Sequence, residues 1–325
     1  MHVTVCPAGT RGDFQPLLAL AVALRDAGHG VRLLASPNFL PEAAAFGIPA
    51  TAVGFDVLEL FRRGDFEARP VQGALALFRV GRQVLEATIA AGVEHGRGTD
   101  LLVGGGAQIA GPTIAEALGV PYAFVAFTPQ AVRSRHHPPI TTPFFGLPGL
   151  ANQLLWASFF GLARAFLGGP LGRARAQLGL LPAGDLEAHF FPRGSTFLAT
   201  DPELAPPAPD QRLAGPPVGA LHLRDARPLP PAVEAFLGAG PPPVYLGFGS
   251  MPDTRAEATT RTFLEVAART GRRVVLSAGW ARFGGVEEGA VALREDVLAV
   301  GPVSHALLFP RVAAVVHHGG AGTTS

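Results

Sequence analysis

Three stretches of the chain each run from an apolar strand into a glycine-bearing turn that carries a reactive or anion-holding group. The first is Val3-Thr-Val-Cys6 with the turn Pro7-Ala-Gly-Thr-Arg-Gly-Asp13, which ends in a carboxylate. The second is Val244-Tyr-Leu-Gly247 with Phe248-Gly-Ser-Met251, which offers a serine hydroxyl and free backbone amides. The third is Val312-Ala-Ala-Val-Val316 with His317-His-Gly-Gly-Ala-Gly-Thr-Thr324. A carboxylate at a strand end can take a proton from a hydroxyl as that oxygen attacks an electrophile. A Gly/Thr-rich turn that opens a helix gathers N–H groups without intrahelical partners, and the helix dipole favours a phosphate there. One base and two phosphate-holding turns are the parts that an enzyme acting on a nucleotide diphosphate needs. Asp13 has a second reading, as the cap of a helix beginning near Phe14.

The elements around these turns set the architecture. Leu17, Leu20, Ala21 and Leu24 recur at helical spacing and Val31–Ala35 forms the next strand, so the chain opens with a strand–helix–strand unit. Such units build parallel sheets whose ligands lie at the strand C-terminal ends. The alternation continues with a strand at Thr51–Val53, a helix at Val71–His95, a strand at Leu101–Val103, a helix at Pro112–Leu118, and strands at Tyr122–Phe127 and Phe197–Thr200. Gly104-Gly-Gly106 reads as a turn after a strand. Nine prolines from Pro202 to Pro231 mark a segment that regular helix or central strand would not tolerate, read as a linker. After Pro241 the pattern restarts: a strand at Val244–Gly247, a helix from Glu257 to Arg269, strands at Val274–Ser277 and Val297–Val300, a helical turn at Ser304–Phe309 and the closing strand. The predicted fold is therefore α/β, two Rossmann-like doubly wound parallel-sheet domains, at 1–216 and 241–325 with the linker at 217–240. Two such sheets packed tip to tip would bring all three turns to one gap. The first domain carries no Gly-x-Gly-x-x-Gly fingerprint, which argues against a dehydrogenase.

Composition narrows the partners. The net charge is +1 over 325 residues, so no global field points to nucleic acid. All 26 basic residues are arginine, a bias that fits the excess of Ala, Gly and Pro. The single cysteine, Cys6, lies in an apolar run and can form no intrachain disulfide. The N-terminus lacks the basic start and long apolar core of a signal peptide, which places the expected location in the cytoplasm. His136 and His137 precede two prolines, and a metal role for them would need further ligands nearby.

Between Leu118 and Gly184 there is no Asp or Glu, whereas Arg133, Arg135, Arg164, Arg173 and Arg175 stand beside Trp156, Phe159, Phe160 and Phe166. Apolar and cationic surface thus occur together. Phe127, Trp156 and Phe160 are candidates to line a pocket for a bulky apolar acceptor, and the segment after Gln130 could also rest peripherally on anionic lipid. The plainer alternative is an amphipathic helix pair covering the sheet. Pro143–Ala163 is uncharged and long enough to span a bilayer, but its prolines, glycines, Asn152 and Gln153 argue against a transmembrane helix.

Pro7–Pro16, Val244–Met251 and Leu308–Thr324, three motifs in order along the whole chain, resemble the bacterial glycosyltransferases of GT-B fold. The similarity is greatest to the branch with the antibiotic-aglycone and sterol enzymes. This resemblance implies an inverting transferase that uses a UDP- or TDP-sugar as co-substrate, needs no metal or other cofactor, and glycosylates an apolar hydroxylated small molecule. Asp13 falls at the general-base position, where many relatives carry histidine, and Thr10 is placed to hold Asp13 or the acceptor. His318, Gly320, Gly322, Thr323 and Thr324 match the diphosphate cradle, and Ser250 reaches the same diphosphate from the other turn. His317 is expected to pack behind the site. Trp280 and Val303 match positions that shape the nucleobase pocket, although Trp280 also reads as plain core. Relatives continue with a further helix, strand and sugar-gripping segment, whereas this sequence stops one residue after Thr324. A recognisable but incomplete donor domain is the expectation, and with it an alternative: a non-catalytic binding or helper protein of glycosyltransferase descent. A nucleotide-sugar epimerase fits the Gly-Asp-x-x-Pro turn and apolar segment less well.

Overall fold

The computed structural model describes residues 1–56, 70–142, 144–225, 227–250, 253, 255–286 and 289–324, with the side chains of 70–77 left undescribed. Met251 and Ser325 of the sequence motifs lie outside these residues. The described chain forms two compact units, Met1–His222 and Leu223–Ser325.

The first unit is built on a six-stranded parallel sheet in the order β3-β2-β1-β4-β5-β6. Its strands are β1 (His2–Ala8), β2 (Gly30–Ala35), β3 (Ala50–Ala52), β4 (Leu101–Gly106), β5 (Tyr122–Ala126) and β6 (Thr196–Leu198). The helices are α1 (Arg11–Asp26), α2 (Leu40–Ala45), α3 (Pro70–His95), α4 (Gly111–Leu118), α5 (Gly149–Gln177) and α6 (Leu186–Phe190). Helices on both faces bury the central strands, which is why Val3–Pro7 of β1 read as a continuous buried run. Leu17, Leu18 and Ala21 of α1 are fully buried, and a core of Leu85, Ile89, Leu102, Ile114 and Leu167 joins α3, α4 and α5. The strand order reverses between β1 and β4. A crevice opens at such a switch point beyond the strand C-terminal ends, and the turn bearing Asp13 leaves β1 there.

The second unit has a five-stranded sheet, β11-β7-β8-β10-β9. It comprises β7 (Val244–Gly247), β8 (Val274–Ser277), β9 (Ala290–Arg294), β10 (Val297–Val300) and β11 (Ala314–His317) with α7 (Pro231–Gly238), α8 (Ala256–Thr270), α9 (His305–Leu308) and α10 (Ala321–Thr324). β11 runs parallel to β7 and puts His317 opposite Gly247, so the turns after these two strands emerge together at the second switch point.

Four sequence expectations are corrected. The proline-rich segment is not all linker: α7 begins at its last proline, Pro231, whose missing N–H is harmless at a helix start, and Val233 and Leu237 enter the second core. The first unit runs to His222, six residues past residue 216, and 223–240 belongs to the second. After β5 the acid-free segment holds one long helix of 29 residues, α5, and not a helix pair; Pro170 is inside it. Finally, β4 runs through Gly104–Gly106 instead of turning there. The antiparallel strand β9 was not foreseen, because Ala290-Val-Ala-Leu-Arg294 is short and charged at its end.

Candidate active site

Asp13 is the third residue of α1, and α1 starts three residues earlier than the sequence suggested, so that Thr10 is its N-cap. The Asp13 carboxylate folds back on the chain. Its Oδ2 accepts a hydrogen bond of 2.8 Å from the Thr10 N–H and one of 3.3 Å from the Thr10 hydroxyl. Two glycines make room for it. Gly9 (φ 131°) lies against Oδ2 so closely that any Cβ would strike the carboxylate, and a Cβ on Gly106 (φ 70°) would sit 2.7 Å from Cβ of Asp13 and 2.8 Å from its Oδ1. Both conformations are ones that L-residues avoid. Gly106 thus belongs to the site, a role that a simple turn reading had not given it. Burial raises the Asp13 carboxyl to about 6, against the opposing pull of the two Thr10 hydrogen bonds.

A largely apolar cavity of about 250 Å³ opens beside this carboxylate, with Asp13 and Thr10 in its wall. The rest of the wall includes Phe55, Val84, Leu85, Thr88 and Ile109. The sequence did give a signal for part of this wall: Gly81, Val84, Leu85 and Thr88 are spaced as one face of α3. Phe55 and Ile109 follow the C-terminal ends of β3 and β4, where ligands of parallel sheets collect. Cys6 is also in the wall; burial pushes its thiol up to about 12, so it is a small apolar group and not a nucleophile.

None of the aromatic residues expected to form an acceptor pocket lines this cavity. Trp156 is only 1% exposed; its Nε1–H donates to the His137 carbonyl at 3.0 Å and its ring stacks on Phe160 at 5.8 Å. Phe160 packs edge-on to Phe159 and Phe191. Phe127 lies over the backbone of Gly105, where a Cβ would be 3.1 Å from its Cζ. Aromatic residues at helical spacing served the packing of α5, which pattern alone could not separate from ligand contact. His137 is likewise engaged, its Nε2 lying 3.2 Å from Gln211 Nε2. No group of three or more His, Cys, Asp or Glu side chains able to hold a metal occurs among the described residues.

In the second unit the turn after β7 meets the turn after β11. A Cβ on Gly249 would lie 3.2 Å from Cε1 of His318, and the half-buried Ser250 follows in the same turn. Gly320 lies against the other edge of the imidazole, where a Cβ would be 2.5 Å from Nε2. Nδ1 of His318 is buried and has no hydrogen-bond partner among the described residues. Burial lowers the pKa of His318, with neighbouring His317 adding to the effect, so the ring is neutral near pH 7. His317 supports the turn from behind: its Nδ1 accepts from the Gly319 N–H at 3.2 Å. The first turn of α10 is formed, with the N–H groups of Thr323 and Thr324 bonded to the Gly320 carbonyl at 3.1 and 2.9 Å. The Thr324 hydroxyl donates to that same carbonyl at 2.9 Å, so its proton is not turned outward as expected. Gly322 is exposed and Thr323 half-buried. Trp280 is half-buried next to the same turn, its N–H donating to Gly249 O at 2.9 Å. Val303 packs against the core formed by Leu229, Val233 and Leu298.

The chain matches known proteins along its whole length. Residues 3–136 match the Glycosyltransferase family 28 N-terminal domain. The vancomycin aglycone glucosyltransferase of Amycolatopsis orientalis is 38% identical over 332 residues, an alignment covering 100% of this chain and 77% of that protein. A sterol 3-beta-glucosyltransferase of Yarrowia lipolytica is 31% identical over 340 residues, covering 100% of this chain and 23% of that one. Among solved structures, the glycosyltransferase VinC in complex with dTDP superposes with a TM-score of 0.63 at 23% identity, over 100% of this chain and 77% of VinC. With Asp13 at the switch point of one Rossmann-like sheet and the His318 turn at that of the other, the chain belongs to the GT-B glycosyltransferases, in the branch of the antibiotic-aglycone and sterol enzymes.

Proposed function

We propose that the protein moves a hexose from a UDP- or dTDP-sugar to a hydroxyl of an apolar small molecule, with inversion at the anomeric carbon and Asp13 as general base. The observation that carries this reading is the Asp13 carboxylate in the wall of an apolar cavity, with its pKa raised to about 6. At that value it is mostly ionised at pH 7 and a far better base than an ordinary carboxylate. The acceptor hydroxyl gives its proton to Asp13 while its oxygen forms a bond to the anomeric carbon; the bond from that carbon to the diphosphate oxygen breaks, and its electron pair leaves with the diphosphate. A single displacement of this kind inverts the anomeric centre.

Charge grows on the leaving diphosphate, so donors fixed in advance lower the barrier. The Nδ1 of His318, which has no hydrogen-bond partner among the described residues, the Ser250 hydroxyl and the Gly322 N–H are the groups we assign to it, in place of a metal ion. Thr10 keeps the base oriented, and Trp280 borders the nucleobase. Val303 is assigned only to holding that wall from the core. The relatives support the chemistry by name: one is a glucosyltransferase for an aglycone, another for a sterol, and VinC was solved with dTDP. Similarity to enzymes over the whole chain favours transfer over a non-catalytic helper. The test is transfer from UDP-glucose and from dTDP-glucose to a panel of apolar alcohols and phenols, with the product anomer read by NMR. Inverted product that disappears in Asp13→Asn supports the proposal, whereas a retained anomer or an active Asp13→Asn refutes it.

A further inference from the structure

Helix α5 is apolar on more sides than the fold requires. Trp156, Ala163, Leu167, Leu171 and Ala174 are buried in the first unit, and Phe159 and Phe166 pack on Phe78 of α3 at 5.5 and 6.1 Å. Yet on the outer face Leu150, Leu154 and Leu162 are 71%, 61% and 45% exposed, and in the loop before the helix Ile140, Phe144 and Phe145 are 58%, 54% and 76% exposed. No charged residue occurs from Pro138 to Ala163. By length and composition α5 could cross a membrane: it has 29 residues, and an 18-residue stretch of it reaches a mean hydropathy of 1.3. Its inner stripe is tied into the core with α3, however, so it can meet a bilayer only lying flat, as interfacial helices do.

Arginines border this face. A groove of about 370 Å³ is lined by Arg133, Arg135, Arg193 and Arg212, and by Gln153, which lies on α5 next to Leu154. The three acids of the groove are engaged: Glu187 pairs with Arg133 at 2.8 Å, Asp210 accepts from the Ser134 hydroxyl at 2.6 Å and the Arg135 N–H at 2.8 Å, and Asp185 caps α6 by accepting from the Glu187 N–H at 2.9 Å. Arg135, Arg193 and Arg212 are exposed, and their guanidinium groups make no ion pair among the described residues. Exposed apolar side chains therefore sit beside free guanidinium groups, the pairing that fits a bilayer carrying anionic headgroups.

We propose that this face docks the protein peripherally on an anionic lipid surface, with Phe144, Phe145, Leu150 and Leu154 entering the boundary between headgroups and acyl chains and the three arginines meeting lipid phosphates. The docking stands independently of Asp13 and of the transfer reaction, and it would hold the enzyme where apolar hydroxylated molecules concentrate. Co-sedimentation of the full chain with vesicles of phosphatidylcholine alone, and of an equal mixture with phosphatidylglycerol, tests it. The expected result is binding to the mixed vesicles only, weakened by salt. Partitioning should fall about fivefold for each of Arg135→Gln and Arg193→Gln, and at least about tenfold for Leu150→Ser with Leu154→Ser. Circular dichroism and vesicle-free transferase activity confirm that the variants fold. Equal binding to both vesicles, no binding to either, or a leucine variant that binds like the parent each overturns the proposal. So does a second copy covering the face, seen as a dimer in sedimentation equilibrium that the leucine changes dissolve.

Discussion

Oδ2 of Asp13 lies 2.8 Å from the backbone nitrogen of Thr10, three residues before it, so one carboxylate both caps α1 and faces the apolar cavity. The two roles act oppositely on its proton. Hydrogen bonds from Thr10 favour the ionised form, burial favours the neutral form, and burial wins, leaving the group at about 6. A cap and a base were competing readings of the same residue in the sequence. In the structure the capping bond is what points the carboxylate.

The first consequence is a pH profile. If Asp13 accepts the acceptor's proton, kcat/KM for transfer falls on the acid side with a midpoint near about 6. Initial rates from pH 4.5 to 8.5 at low acceptor concentration check this. A limb near the ordinary carboxylate value of about 4 would remove the buried carboxyl from the rate-determining role.

The same residue ties activity to stability with opposite sign. Because the folded-state pKa is raised, the folded chain keeps a proton that the unfolded chain has released between about 4 and 6, so stability declines as pH rises through that window. Asp13→Asn keeps an acceptor for the Thr10 N–H but carries no charge. Transfer should fall about 10²–10⁴-fold, while stability at pH 8 rises by about 1–2 kcal/mol and at pH 4 does not rise. Urea unfolding at the two pH values, together with single-turnover rates, measures both halves. A variant destabilised equally at both would show that the cap outweighs the buried charge.

Much of this was legible in the sequence because two signals agreed. Periodicity located nearly every sheet strand, and the glycine-bearing turns marked the strand ends where parallel sheets bind ligands, so Asp13 and Ser250 stand out as candidates from the pattern, whereas His318 is singled out only by the family resemblance. What stayed hidden depended on packing between distant segments. Gly106 looks like any turn glycine until β4 is paired beside β1 and its Cα is brought against Asp13. Trp156 and Phe160 have the composition of an acceptor pocket, but the helix that carries them turns those rings inward. The cavity wall of Phe55, Val84, Thr88 and Ile109 comes from three separated segments, which no local pattern connects.

Gly106 gives a further prediction. A methyl at this position would strike the Ala8 carbonyl and come within 2.7 Å of Cβ of Asp13, at a φ of 70° that alanine resists. Gly106→Ala should cost about 2 kcal/mol of stability and lower kcat by displacing the carboxylate, with dTDP affinity unchanged because the donor turns are in the other unit. Calorimetry with dTDP beside the transfer assay separates the two effects. An unchanged kcat would show that Asp13 needs no such close backing.

The donor turns predict a different pattern. His318→Ala removes the buried Nδ1, which has no hydrogen-bond partner among the described residues, and Ser250→Ala removes the hydroxyl of the facing turn. A hydrogen bond to a charged phosphate contributes about 1.5–3 kcal/mol, so each change should weaken UDP or dTDP binding roughly 10–100-fold. The unfolding midpoint should move little, since neither side chain is fully buried. Titration calorimetry with the two nucleotides also shows which base the protein prefers. Full-affinity binding by His318→Ala would take that imidazole out of the diphosphate site.

A polar cluster around the buried Arg175, away from both turns, predicts how the first unit responds to acid. Arg175, almost wholly buried, forks onto Glu116 at 2.8 and 2.9 Å and reaches the Thr113 hydroxyl at 3.3 Å; that hydroxyl lies 3.1 Å from Nε2 of His189. Burial, with the Arg175 charge adding to it and Glu116 opposing, pushes His189 down to about 4. The folded chain therefore holds His189 neutral where the unfolded chain takes up a proton. Its contribution is complete above about 6.5 and is lost as the pH falls towards about 4, a change of about 2 kcal/mol after discounting partial exposure. His189→Gln keeps a hydrogen-bonding group beside Thr113 but cannot titrate, so between pH 7 and 4.5 it should lose less stability than the parent by about that amount. Urea midpoints across this range measure the difference; parallel curves for the two proteins would place the acid sensitivity elsewhere.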